Sequence, residues 1–261
     1  MRKAGRFILR AIWLVFEVSV VGLRFLFLFI RTGGKPSLRE RSECLKQGCR
    51  RTLRPFVKNV EVRGPLPAAG LLVSNHLSYV DILLLGSLFP SVFVSKAEVK
   101  NWPVFGLFSR LGGTVYVQRE RRGEVGRISD QLQSLLRDGH LVVLFPEGTS
   151  SDGESVLPFK SALLEPVVGW AKGIHAGCIS YQLEDGVVGQ DLCYWGGMTF
   201  LPHVVKLLTK SRANARVVFA PVREPATDRK QLAKQLHAQV LTLKGTPPYV
   251  EPEAELAAKS F

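Results

Sequence analysis

Cysteine is scarce in this chain of 261 residues. Cys44, Cys49, Cys178 and Cys193 include no C-x-x-C pair and no paired zinc spacing. So few thiols cannot form a disulfide scaffold, and their spacing gives no structural metal site. They read as ordinary thiols in a reducing compartment. No G-x-S-x-G, G-x-G-x-x-G or P-loop occurs, which leaves an ordinary serine hydrolase or a nucleotide-binding domain without support. No internal repeat is present. Acidic residues are sparse at one end only: residues 1–63 hold 15 Lys+Arg against 4 Asp+Glu, whereas residues 64–261 hold 20 against 18. Of the net charge of +13, +11 therefore lies in the first 63 residues. Such asymmetry implies an anionic partner surface, either a polymer or a membrane.

Residues 7–30 are the most apolar stretch, yet Arg10, Glu17 and Arg24 interrupt it. With Lys3 and Arg31 these residues repeat every seven positions, so on a helix they share one narrow stripe. A charge inside each apolar run and the lack of a small-residue cleavage site speak against a signal peptide. A spanning helix would hold Glu17 near the bilayer centre at a cost of about 3 kcal/mol. The stripe fits an in-plane or re-entrant membrane helix better. A core helix this apolar would need a large partner surface. Residues 37–54 predict a second helix, opened by a Ser37/Glu40 capping box and carrying Arg39, Arg41, Lys46, Arg50, Arg51 and Arg54. That basic face suits anionic lipid, and also reads as a merely solvated surface. It contains no aromatic residue, and nucleic acid is not expected as a partner.

From residue 57 onward short apolar strands alternate with helices. Strands are expected at 57–62, 71–73, 92–94, 114–117, 141–145, 178–181 and 216–219. Helices are expected at 81–89, 103–111, 123–137 and 228–243. The pattern predicts an α/β fold: a mostly parallel sheet covered by helices, with an N-terminal membrane-binding helical element. The organisation expected is 1–56 membrane-associated helices, 57–245 α/β domain and 246–261 a loose tail.

Within the body, His76 follows an apolar strand and Asp81 opens an apolar helix. A strand-to-helix loop of an open α/β sheet is where ligands usually bind. A carboxylate on one ring nitrogen would fix the tautomer and leave the other to take a hydroxyl proton. The spacing equally allows Asp81 as a helix cap and His76 as a satisfied loop residue. Arg119 ends the strand that begins near Gly113, where a guanidinium can hold a phosphate or carboxylate bidentately, or be a surface arginine beside Arg121 and Arg122. Phe145-Pro146-Glu147-Gly148-Thr149 closes a fully apolar strand. Proline marks the strand end and glycine permits the turn, which would leave the Glu147 carboxylate free. Lys160 would face an anionic group in the same cleft.

Taken together, these blocks resemble the glycerophospholipid acyltransferase family, which includes 1-acylglycerol-3-phosphate acyltransferases. Its N-H-x-x-x-x-D is matched by Asn75, His76 and Asp81, its G-x-x-[FY]-x-x-R by Gly113, Tyr116 and Arg119, and its F-P-E-G-T by residues 145–149. The resemblance implies direct acyl transfer from acyl-CoA or acyl carrier protein to a lysolipid hydroxyl, with no cofactor and no metal. His76 and Asp81 would be catalytic. Asn75, Tyr116, Arg119, Glu147, Gly148, Thr149 and Lys160 would bind or shape the acceptor site, with backbone N–H groups at the start of the Asp81 helix as oxyanion donors. It implies an enzyme of lipid biosynthesis at an anionic membrane, with its active site at the cytoplasmic face. The acceptor implied first is 1-acylglycerol-3-phosphate, giving phosphatidic acid. Two departures bear on this. Ser150 and Ser151 stand where many members have arginine, and no proline occurs in residues 173–179. The runs 149–153 and 197–203 are similar to the lyso-ornithine-lipid acyltransferase branch, which is the alternative acceptor reading. The alternative of another class is a non-catalytic membrane-lipid binding protein with the same fold.

Overall fold

In a computed structural model, residues 2–102, 104–117, 124–170 and 173–245 are described. The expected tail at 246–261 and Arg119 lie outside them. Two helices, α1 (Arg2–Arg31) and α2 (Leu38–Thr52), precede β1 (Val57–Arg63) and β2 (Gly70–Ser74). Then follow α3 (Val80–Leu88), β3 (Val92–Lys96), α4 (Phe105–Gly112), β4 (Val115–Val117), α5 (Glu124–Arg137) and β5 (Leu141–Leu144). The chain ends with β6 (Ile174–Gln182), α6 (Val188–Asp191), α7 (Phe200–Thr209), β7 (Ala213–Pro221) and α8 (Arg229–Lys244).

The seven strands form one sheet in the order β1-β7-β6-β2-β5-β3-β4. Neighbours run parallel except β6 with β7. Central strands β2 and β5 are buried along their whole length, as expected of apolar runs covered on both faces. One face carries α2, α3 and α7, with Leu53, Leu84 and Leu207 in a common core with Leu72 and Val143. The opposite face carries α5 and α8 through Leu132, Leu232 and Leu236. The ends of β2 and β5 lie side by side, and the loops that leave them form the site.

Helix α3 is apolar on every side because it is sandwiched between the sheet and α2. Close approach is needed at two crossings. A Cβ on Gly86 would lie 2.8 Å from the Cys49 sulfur, and one on Gly48 would lie 2.8 Å from a Val21 methyl. The capping box predicted for α2 is present, with Ser37 and Glu40 bonded reciprocally.

The charged residues on this side of α1 bond to neighbouring elements, although Arg24 and Arg31 stay exposed. Arg6 bonds Asp185 at 2.7 Å, Arg10 reaches the Lys210 carbonyl, Arg24 meets Gln47 at 2.7 Å and Arg31 meets Glu40 at 3.0 Å. Glu17 is buried and accepts from Trp13 Nε1 at 2.9 Å and from Arg51 Nε. The outward side of α1 is instead apolar, with Leu9 71%, Val15 67%, Phe27 67% and Ile30 70% exposed. By length and composition α1 could also cross a membrane. Removing Arg51 strands a buried carboxylate, so Arg51→Ala is expected to cost about 2 kcal/mol of stability. Denaturant unfolding in detergent checks this, with exposed Arg50→Ala as the near-silent control.

Candidate active site

Asp81, in the first turn of α3, has no solvent exposure. Its Oδ2 accepts from Leu77 N–H at 2.6 Å, from Ser78 N–H at 2.9 Å and from His76 Nδ1 at 2.8 Å. Its Oδ1 accepts from the Tyr181 hydroxyl of β6 at 2.7 Å. A carboxylate only accepts, so it selects the tautomer protonated at Nδ1 and leaves the Nε2 lone pair for the cavity beside the ring. The loop N–H groups of Leu77, Ser78 and Asp81 are all engaged, which removes them as the oxyanion donors expected at this helix start.

The second block is stitched to the first. The His76 ring stacks on Phe145 with centroids 4.1 Å apart and planes 16° apart. Glu147 is 1% exposed and takes His76 N–H at 2.9 Å on one oxygen and Leu157 N–H at 3.1 Å on the other. Ser151 N–H donates to the His76 carbonyl at 3.0 Å. The sequence-based expectation of a free Glu147 carboxylate is therefore corrected. It faces inward, because the His76 loop and the segment at residue 157 each present an N–H that β5 cannot satisfy. Burial outweighs those two donors and pushes the Glu147 carboxyl up to about 7. Gly148 sits at φ 72°, a left-handed conformation that lets the chain turn beneath the cavity.

The other candidates divide. Gly148 and Thr149 line a cavity of about 300 Å³ together with His76. Asn75 does not: its side chain donates to the Ile179 carbonyl at 3.0 Å and accepts the Ile179 N–H at 2.7 Å, which holds β6 against β2. The Tyr116 hydroxyl pairs with Ser109 of α4 at 2.5 Å, and the ring is not part of the cavity wall. The Lys160 side chain is exposed away from the cavity, while its backbone N–H bonds the Pro146 carbonyl at 2.8 Å.

Several wall residues escaped sequence reasoning. Lys96 ends β3 and is the lysine among the described lining residues. Its only signal was a strand-terminal position, which surface lysines share. Tyr181 stands 100 residues from Asp81 and carried no signal at all. Tyr194, Trp195 and Gly196 form a further wall. A second cavity of about 490 Å³ shares Tyr79, Ile82, Phe93 and Phe105 with the first. It is almost wholly apolar and continues beneath α1, at Leu14, Val18 and Val21. Burial pushes the Cys193 thiol, behind Asp81, up to about 12, so it offers no thiolate nucleophile.

Residues 59–176 match the family model described as Acyltransferase. A lyso-ornithine lipid O-acyltransferase of Brucella abortus is 33% identical over 91% of this chain and 92% of its own length. A 1-acyl-sn-glycerol-3-phosphate acyltransferase of Neisseria meningitidis is 30% identical over 77% of this chain and 79% of its own length. The chain belongs to the acyltransferase family. The fold of this acyltransferase is also that of the crystal structure of the 1-acyl-sn-glycerophosphate (LPA) acyltransferase PlsC from Thermotoga maritima. The TM-score is 0.63 at 20% identity, over 95% of this chain and all of that one, a likeness that concerns the fold alone.

The raised Glu147 carboxyl has a consequence for the acyltransferase. A carboxyl at about 7 in the folded protein and in the ordinary carboxylate range when unfolded holds its proton more tightly when folded. Its contribution to stability is fully present at acid pH and is lost as pH rises through about 7. Glu147→Gln is expected to flatten that part of the stability–pH profile, as measured by urea unfolding at pH 5 and pH 7.5.

Proposed function

We propose that this acyltransferase moves a fatty acyl group from a thioester, acyl-CoA or acyl carrier protein, to the free hydroxyl of a lysolipid. The observation that carries this is the 2.8 Å contact between His76 Nδ1 and the fully buried Asp81, which leaves Nε2 at the cavity. In the reaction Nε2 takes the acceptor's hydroxyl proton as that oxygen attacks the thioester carbonyl. The C–O bond forms, the C–S bond breaks, and the proton passes from the imidazolium to the leaving thiolate. Asp81 stabilises the imidazolium between these steps. The apolar second cavity, which shares a wall with the first, suits a hydrocarbon chain.

For the acceptor, a lyso-ornithine lipid is placed ahead of 1-acylglycerol-3-phosphate. Ser150 lacks the cation that the resemblance leads one to expect for a phosphate, and its hydroxyl instead bonds the Tyr194 carbonyl. A Pseudomonas aeruginosa protein 35% identical to this one is also named a lyso-ornithine lipid O-acyltransferase. Lys96, with Arg119, would meet the acceptor's anionic group. The outward apolar face of α1 would enter one leaflet of a membrane at its cytoplasmic face, with Arg39, Arg50 and Arg54 beside anionic head groups.

The test is an acyl-transfer assay with one donor on lyso-ornithine lipid, 1-acylglycerol-3-phosphate and lysophosphatidylglycerol. Turnover of none of the three would overturn the proposal. His76→Ala is expected to lower kcat about 10²–10⁴-fold while vesicle binding is retained. Asp81→Asn should also lower kcat, because the amide no longer selects the tautomer.

A further inference from the structure

The pairing of β2 with β6 stops at Ser74 and Gly177, yet β6 runs on to Gln182. Asn75 takes over where the ladder ends. Its side-chain amide donates to the Ile179 carbonyl at 3.0 Å and accepts the Ile179 N–H at 2.7 Å. A carboxamide carries donors on one edge and an acceptor on the other, so it stands in for the peptide group that β2 no longer offers. Asn75 and Ile179 are both buried, where a polar group left without a partner is costly. The clamp therefore fixes the height and the direction of β6 beyond the end of its neighbour.

Two residues further along β6, Tyr181 falls on the same face of the sheet as Ile179. Its hydroxyl donates to Asp81 Oδ1 at 2.7 Å. Burial, together with the Asp81 charge beside it, holds the phenol far above its ordinary pKa, so the group stays a donor. Leu77 N–H, Ser78 N–H and His76 Nδ1 all meet the other oxygen, Oδ2. Three contacts gathered at one oxygen still let a carboxylate swing about that oxygen. The Tyr181 hydroxyl holds the opposite end and so fixes the plane of the group. That plane sets the line along which His76 Nδ1–H points, and with it the direction of Nε2 into the cavity.

We infer that Tyr181 is a positioning residue for His76, acting through Asp81, and that Asn75 is in turn the positioning residue for Tyr181. The inference rests on the reading of His76 as the base and deepens it. The first residue of the N-H-x-x-x-x-D block serves the catalytic pair by way of β6, without touching the acceptor. The path runs from the Asn75 amide to the Ile179 backbone, along β6 to Tyr181, and from its hydroxyl to Asp81 and the imidazole. A tyrosine that lies outside every motif block thereby joins the site.

The test measures acyl transfer under one donor, with whichever of the three lysolipids the wild-type enzyme turns over fastest. Tyr181→Phe keeps the ring in the core and removes only the hydroxyl. It is expected to lower kcat about tenfold, the size of one hydrogen bond to a charged group, and to leave KM within about twofold. In a His76→Ala background the same substitution should change the residual rate by less than about twofold, because no imidazole is left to aim. Asn75→Ala should lower kcat by a factor similar to that of Tyr181→Phe. The double variant Asn75→Ala/Tyr181→Phe should lose no more than the larger single change, since both act through one hydroxyl. Thermal melts of every variant, with assays run well below each midpoint, keep unfolding out of the rates. An unchanged kcat in Tyr181→Phe, or a loss that persists in full without His76, overturns the inference while acyl transfer stands. Losses that multiply in the double variant overturn the link from Asn75 to Tyr181. Full turnover by His76→Ala overturns the reading of His76 as the base and the inference with it. Turnover of no acceptor by the wild-type enzyme overturns the acyl-transfer reading itself.

Discussion

The Asp81 carboxylate is cut off from solvent, and four donors compensate it: two loop N–H groups, an imidazole and the Tyr181 hydroxyl. A buried charge is tolerable only when its lone pairs are satisfied in this way. Each donor comes with a piece of architecture. The N–H groups shape the turn between β2 and α3, the imidazole is the proposed base, and Tyr181 brings in β6. Moving any of them would leave the carboxylate short of a partner. The ring orientation that the chemistry needs is thus enforced by the same balance that keeps the turn folded.

Glu147 plays the complementary part on the neighbouring strand. It joins the His76 loop to the segment at residue 157 through backbone N–H groups. Phe145 then supports the imidazole from one face by stacking. The two motif blocks are consequently one unit with a shared hydrogen-bond network, placed where the parallel strands β2 and β5 end together. The apolar cavity under α1 shares Tyr79, Ile82 and Phe105 with the cavity at this unit. The polar side chains of α1 pair with Arg51, Gln47, Glu40 and Asp185, and among them Glu17 is buried.

Much of the fold could be read from the chain alone. The runs at 71–73 and 141–145 became the buried parallel strands, and the periodicity of 123–137 became α5. Two elements were obscured for identifiable reasons. Helix α7 (Phe200–Thr209) follows Gly196 and Gly197 and carries Pro202 in its first turn, so its start looks like a loop although proline is tolerated there. Strand β6 is longer than its apolar core at 178–181 suggests, because Gly177 interrupts the pattern. That glycine fits the sheet closely: an added Cβ would meet Leu72 at 3.2 Å and Phe219 at 3.3 Å.

By itself the sequence determined the succession of strands and helices, the three motif blocks in their order, and through them the acyltransferase family. These follow from local periodicity and from short spacings, which a linear chain carries in full. The tertiary structure decided which way the described motif side chains point. Asn75, Tyr116, Glu147 and Lys160 read equally well as ligands for a substrate, yet the first three bond protein groups and the fourth faces solvent. Tyr181 and the Tyr194–Trp195 wall entered the site without any local signature, and Lys96 with only a strand-terminal position. Hydrogen-bond direction and burial depend on partners tens to a hundred residues away, and only folding brings those partners within reach.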